Sequence, residues 1–202
     1  MGKIAIVDYG VGNLKSVTNA LEYLGFATQI TGEANDLEQA DAIILPGVGA
    51  FPNAADKLRG TGLDQVIKQQ VEKKPLLGIC LGMQLLFEEG EEVRPCEGLG
   101  LIPGKVQRID TALKLPHIGW NGLSFRNDCP IFKGLAEDSH VYFVHSFQGA
   151  AADPAHVAAV TDYGREVLAA VHRDNVYGCQ FHPEKSGEIG LEILKKFGEL
   201  NR

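Results

Sequence analysis

The chain has 202 residues, 45% of them hydrophobic and 22% charged, which suits one soluble globular domain over 1–202 with a sizeable core. Its formal net charge is −7 with no lysine–arginine cluster, which argues against a nucleic-acid partner, because phosphate binding needs a positive face. No apolar run approaches the roughly 18 residues that cross a bilayer, and the start of the chain lacks the apolar stretch of a secretory signal, so no membrane role is expected. The four cysteines, Cys80, Cys96, Cys129 and Cys179, have neither zinc-ligand nor disulfide-framework spacing. The chain therefore reads as cytoplasmic, with no metal or other cofactor called for.

Residues 3–8 predict a first strand and 14–24 a helix ending at Gly25, with the glycine loop Tyr9-Gly10-Val11-Gly12-Asn13 between them. A dinucleotide fingerprint would need a third glycine where Lys15 and Ser16 stand, so a tight strand-to-helix turn is the better reading. Residues 26–30 predict a second strand, and Asp36 is placed to cap a short helix over 37–40. The apolar run 42–45 predicts a buried third strand, which enters Pro46-Gly47-Val48-Gly49-Ala50-Phe51-Pro52. Two glycines in that loop let the backbone approach a ligand or turn an N–H outward, although a plain connection has the same composition. Helices over 53–59 and 63–73 follow.

Pro75 then introduces a fourth strand, 76–79, which runs into Gly78-Ile79-Cys80-Leu81-Gly82. Glycines two residues to either side of Cys80 give the spacing of a nucleophile elbow, a strained turn that lifts one side chain above the sheet edge. A helix is predicted over 83–89 with Gly90 as its stop. A cysteine at a helix N-terminus is favoured as thiolate, and the Leu81 N–H is a natural oxyanion donor. A buried structural cysteine in a tight turn would look the same on this stretch alone.

Strand and helix alternate four times up to this point, which predicts a parallel sheet with helices on both faces and ligands at the strand C-ends. The second half is mostly β. Strands are expected over 105–109, 141–147, 157–161, 166–171 and 177–181, the last two joined by a hairpin turn at Arg173-Asp174-Asn175. Residues 187–200 close the chain as an amphipathic helix. The fold class is thus α/β: a mostly parallel open sheet with added antiparallel strands.

In Gly178-Cys179-Gln180-Phe181-His182-Pro183-Glu184, alternation along an extended chain sends His182 and Glu184 to the same side, and Pro183 keeps helix away from His182. Cys80, His182 and Glu184 then supply a nucleophile, a base and a carboxylate that fixes the imidazole tautomer. Alone, the last pair could be a surface ion pair; together with an elbow cysteine it points to catalysis. His140, His156 and His172 are expected as exposed strand-end residues. His117 and His145 are expected as structural histidines that could also line a site.

At these residues the sequence resembles the triad-type glutamine amidotransferases. It is more narrowly similar to the glutaminase subunits of imidazole glycerol phosphate synthases, through Asp8-Tyr9-Gly10-Val11-Gly12-Asn13-Leu14, the loop from Pro46, Pro116-His117-Ile118-Gly119-Trp120-Asn121 and Tyr142-Phe143-Val144-His145-Ser146-Phe147. The resemblance implies that Cys80 attacks the side-chain amide of glutamine, His182 moves the proton and Glu184 orients it. It implies oxyanion donors at Leu81, Gly47 and Val48, and glutamine contacts at Gln84, Ser146 and Phe147. Asn13, Trp120 and Lys185 would face a separate (β/α)₈ cyclase subunit, the heterodimer partner that takes the ammonia in histidine biosynthesis. For Trp120, core packing is an equal alternative. The free subunit is expected to be nearly inactive, with an oxyanion donor of the Gly47–Gly49 loop pointing the wrong way until partner and acceptor bind. Rival readings keep the triad and change the acceptor, or make the chain a non-catalytic binding module.

Overall fold

The computed structural model describes residues 2–200. The first half builds Lys3–Val7 (β1), Leu14–Tyr23 (α1), Ala27–Thr31 (β2), Ala34–Gln39 (α2), Ala42–Gly47 (β3), Phe51–Gly60 (α3), Leu63–Gln70 (α4), Leu76–Cys80 (β4) and Leu81–Gln84 (α5). There follow Phe87–Gly90 (β5), Cys96–Glu97 (β6), Ile102–Arg108 (β7), His117–Gly122 (β8), Ser124–Phe125 (β9), His140–His145 (β10) and Phe147–Ala151 (β11). Val157–Asp162 (β12), Glu166–Arg173 (β13), Val176–Cys179 (β14) and Gly187–Glu199 (α6) complete the chain.

Eight strands form the main sheet in the order β2-β1-β3-β4-β14-β13-β12-β9. β1 to β4 are parallel, and β14 joins β4 in parallel, pairing Cys179 with Ile79. β13, β12 and β9 extend the sheet antiparallel. Alternation along the strands explains why they read as unbroken apolar runs. Ile4 and Ile6 face one core with α1 and α6, while Ala5 and Val7 face the other with α3 and α4. Both faces are covered, so neither can be polar. The Asp174-Asn175 hairpin forms as expected, with Arg173 opposite Val176. A second sheet, β11-β7-β5-β6, and a two-stranded ribbon, β10-β8, stand beyond the main one. Among the described residues no helix is long and apolar enough to cross a membrane.

Four expectations need correction. The helix over 83–89 stops at Gln84, and residues 87–90 are strand. A continued helix would claim the carbonyls of Leu85 and Leu86 for its own turns. Instead they accept the N–H groups of Leu99, Leu101 and Ile102 at 2.8–2.9 Å, so the incoming chain outcompetes local propensity. Gly90 is no helix stop: a Cβ there would lie 2.8 Å from the Phe51 ring. The single strand over 141–147 breaks at Ser146 into β10 and β11, which pair with β8 and β7 in different sheets. Asp36 lies inside α2 rather than capping it, because its carboxylate accepts from Gln29 Nε2 and Thr31 Oγ1 at 2.6 Å. Finally, residues 183–185 form a 3-10 turn, not an extended strand end.

Candidate active site

β3, β4 and β14 are neighbours in the sheet, and all three end at the same edge. The elbow sits there. Cys80 has φ 54° and ψ −112°, the left-handed side of backbone space that a residue with a Cβ adopts only under constraint. The constraint is visible in the flanking glycines. A Cβ on Gly82 would lie 1.8 Å from Leu45 O, and one on Gly78 would lie 2.6 Å from Gly82 O. β3 and α5 therefore touch backbone to backbone, and the strained turn is held by the strand beside it. α5 begins at Leu81, so the sulfur and the Leu81 N–H share one helix start.

His182 follows β14 and projects into the same cavity as Cys80. It keeps extended backbone angles before Pro183, as the proline requires. The 3-10 turn then folds Glu184 back, so that Nδ1 of His182 donates to Glu184 Oε1 at 2.8 Å. Both side chains are buried, at 4% and 1% exposure. Burial works against the imidazolium, but hydrogen bonding and charge from Cys80 and Glu184 outweigh it and raise the His182 pKa to about 9. Tyr9, whose hydroxyl donates to Pro46 O at 2.8 Å, is pushed up by burial and by the nearby Cys80.

The cavity has a volume of about 390 Å³, within the range of small-molecule sites. Its lining brings together Cys80, Leu81, Val48, Gln84, Ser146, Phe147, His182 and Lys185, each singled out from the sequence. Gly47 lies just behind, paired with Cys80 and so close to α5 that a Cβ would meet Gly82 N at 2.9 Å. Val48 is exposed and a Cβ on Gly49 would meet nothing within 4 Å, so the middle of the loop is uncrowded, between Gly47 and buried Phe51, whose N–H donates to Glu92 Oε2 at 2.8 Å. Asn13 is not part of the lining; it is the half-buried N-cap residue of α1. Gly12 packs against Pro46, and Lys57 donates to Gly10 O at 3.0 Å, so the glycine loop is a braced strand-to-helix turn. Trp120 is 54% exposed with its ring against Tyr142, which decides against core packing.

Sequence reasoning gave too little weight to His145 and none to Gln180. His145 lines the cavity, is 6% exposed, and donates from Nδ1 to Phe147 O at 2.8 Å. Burial is the main cause that lowers its pKa to about 4, and His117 and His182 push the same way. His117 Nδ1 faces His145 Nε2 at 3.1 Å, and burial lowers its pKa as well. The signal for both was their direct pairing at one end of the two-stranded ribbon, which needs the pairing of β8 with β10 to be known. Of the other histidines only His140 is exposed; His156 and His172 are half-buried, the latter stacked on Tyr177.

A cysteine, an imidazole and a carboxylate thus meet at the end of a parallel sheet, the arrangement of a cysteine-dependent acyl-transfer site. The family described as "Glutamine amidotransferase class-I" matches residues 5–199. The chain belongs to the class-I glutamine amidotransferases, a family of enzymes. More particularly, it is 50% identical over 198 residues to "Imidazole glycerol phosphate synthase subunit HisH" of Caldanaerobacter subterraneus subsp. tengcongensis, covering 98% of each chain. It is 47% identical to the subunit of the same name from Oceanobacillus iheyensis, covering 98% of this chain and 100% of that one. Among solved structures, "Structure of PurLQS from Thermotoga maritima" shares the fold with a TM-score of 0.75 at 23% identity, covering 98% of each chain.

Proposed function

We propose that this chain is the glutaminase subunit of an imidazole glycerol phosphate synthase. It hydrolyses glutamine and hands the ammonia to a (β/α)₈ cyclase subunit. The observation that carries the reading is the strained Cys80 sharing one cavity with His182, itself bonded to Glu184. Identity of 50% along nearly the whole chain to relatives named as that subunit supports the choice of acceptor.

In this mechanism Cys80 Sγ attacks Cδ of the glutamine side chain. The carbonyl oxygen becomes an oxyanion held by the N–H of Leu81 and one from the Gly47–Val48 segment. His182 passes a proton to the leaving nitrogen, the C–N bond breaks, and ammonia departs from a thioester. His182 then takes a proton from water, which attacks the thioester; the C–S bond breaks, glutamate leaves, and Cys80 Sγ and the protonated His182 return to their starting state. Glu184 holds His182 in the Nδ1–H tautomer throughout. Both protons of interest on Gln84 Nε2 go to protein, to Phe147 O and Gln180 Oε1 at 3.0 Å each. That leaves its oxygen as the group able to accept from the substrate's ammonium, with the Ser146–Phe147 bend lining the cavity beside it. Packing pins Gly47 while Gly49 is uncrowded, so a turn of the Val48–Gly49 peptide is the motion by which a partner completes the oxyanion site. Losing one such donor costs on the order of a hundredfold in rate.

The ribbon turns Ile118 and Trp120 outward beside the cavity, at 58% and 54% exposure, and Lys185 lies on the cavity rim. These residues, with Asn13, form the proposed cyclase face. The test is glutamine hydrolysis with and without the cyclase subunit and its nucleotide ligand. Strong stimulation, abolished by Cys80→Ala, is expected. Equal rates alone and in complex would refute the gating, and failure to bind the cyclase would move the chain to another amidotransferase.

A further inference from the structure

Gln180 is fully buried one residue beyond β14, and the cavity does not expose it. Its backbone N–H is already used, donating to Ala169 O at 2.8 Å. Its side-chain amide has only one orientation open to it. A backbone carbonyl can only accept, so Phe147 O requires the –NH₂ of Gln84 at its side. The same –NH₂ faces Gln180 at 3.0 Å, so Gln180 presents its oxygen there. Its own –NH₂ is thereby turned to Cys80 Sγ, 3.9 Å away. The chain of bonds leaves no freedom to flip.

We propose that Gln180 is a positioning residue for the nucleophile: its buried amide N–H groups hold the Cys80 sulfur over the sheet edge and favour the thiolate. The inference rests on the glutaminase reading for its meaning, though not for its geometry. A donor to the charged form favours that form, and here the donor approaches from the β14 side while His182 holds the cavity side. Two functions are joined in one amide. The oxygen orients Gln84, which lines the cavity, and the nitrogen orients the sulfur. The other ionisable groups around the sulfur are His182 with Glu184 behind it, Tyr9, and His145 facing His182.

The experiment measures the rate of Cys80 alkylation by iodoacetamide against pH, read by peptide mass so that Cys96, Cys129 and Cys179 are counted separately. The proteins are the full-length wild type, Gln180→Glu and Gln180→Met. Glu keeps an acceptor for Gln84 without the N–H; Met removes both without adding charge. Both variants should move the alkylation midpoint up by about one pH unit and slow the reaction near neutrality about tenfold. In complex with the cyclase, Gln180→Met should also raise KM for glutamine, because Gln84 loses its partner, whereas Gln180→Glu should mainly lower kcat. Unshifted alkylation profiles would overturn the proposal and leave Gln180 a packing residue. Should Gln180→Met not fold, the side-chain ¹⁵N resonance of Gln180 in the wild type decides: it must follow the Cys80 titration, and a flat trace refutes the contact. The alkylation profile needs no glutamine. A wild type that alkylates as described but turns over no glutamine would refute the glutaminase reading and leave the Gln180 contact standing.

Discussion

Glu184→Gln tests the electrostatics of the site most directly. The wild-type His182 lies about 2.5 units above its ordinary value, from 6.5 to about 9. At 1.36 kcal/mol per unit this is about 3 kcal/mol in favour of the imidazolium, net of a burial cost that opposes it. Cys80 and Glu184 supply the favourable part. Removing the carboxylate leaves burial in place, so the His182 pKa should fall by on the order of 1–2 units. The sign follows from proton counting. A folded-state pKa above the unfolded one gives stability that is complete below pH 6.5 and lost as pH rises through about 9. The variant should therefore be less stable than wild type by about 1–3 kcal/mol at pH 6, and the gap should narrow by pH 9.5. Urea denaturation at the two pH values gives the difference, and the C2–H proton resonance of His182 gives the pKa itself. Glutamine hydrolysis should fall roughly 10²- to 10⁴-fold, because an amide can present N–H to Nδ1 and impose the wrong tautomer. Parallel stability curves, or an unmoved resonance midpoint, would refute the reasoning.

Gly82→Ala should cost about 3 kcal/mol or more and abolish Cys80 labelling, since its Cβ would meet Leu45 O at 1.8 Å; Gly60→Ala, with open space around it, should gain about 0.5 kcal/mol in the same thermal melts. Lys74, 8% exposed, donates to the carbonyls of Leu37, Glu38 and Ala40 at 3.0, 2.7 and 2.5 Å, so Lys74→Met should lose about 2–4 kcal/mol in urea titrations. His145, depressed to about 4, should withdraw up to about 3 kcal/mol of stability as pH falls from 6.5 to 4. His145→Asn should flatten that acid limb, and an unchanged limb would assign it to the carboxylates instead.

What the sequence made legible was whatever depends on neighbours in the chain. The elbow is local: two glycines, a proline and an apolar run suffice, and Cys80 takes the strained conformation those residues foretell. The four parallel strands were readable because burial on both faces leaves a continuous apolar signature. The meeting of His182 with Glu184 was expected for the wrong local reason, since a 3-10 turn rather than strand alternation brings them together. What escaped depends on residues far apart in sequence. Phe87 looks helical until residues 99–102 arrive to pair with its segment. Ser146 looks like mid-strand until the strands on either side of it choose different partners. Gln180 carries no signal of its own, because its amide is oriented from Phe147, 33 residues earlier in the chain, through Gln84.

The two halves of the chain thus divide the work of the site. Residues 76–80 and 176–179 lie side by side, and their ends supply sulfur and imidazole. The ribbon of β8 and β10 supplies the roof, and its two faces are opposite in character. Ile118 and Trp120, across from Val144 and Tyr142, face outward; His117 and His145, across from each other, face in. A slip of β8 by one residue would bury Trp120 and expose His117, so this register is strongly fixed. On the inward face, His145 donates to the carbonyl of Phe147. That carbonyl holds Gln84, which holds Gln180. A continuous run of hydrogen bonds thus joins the inward face of the ribbon to the Cys80 sulfur.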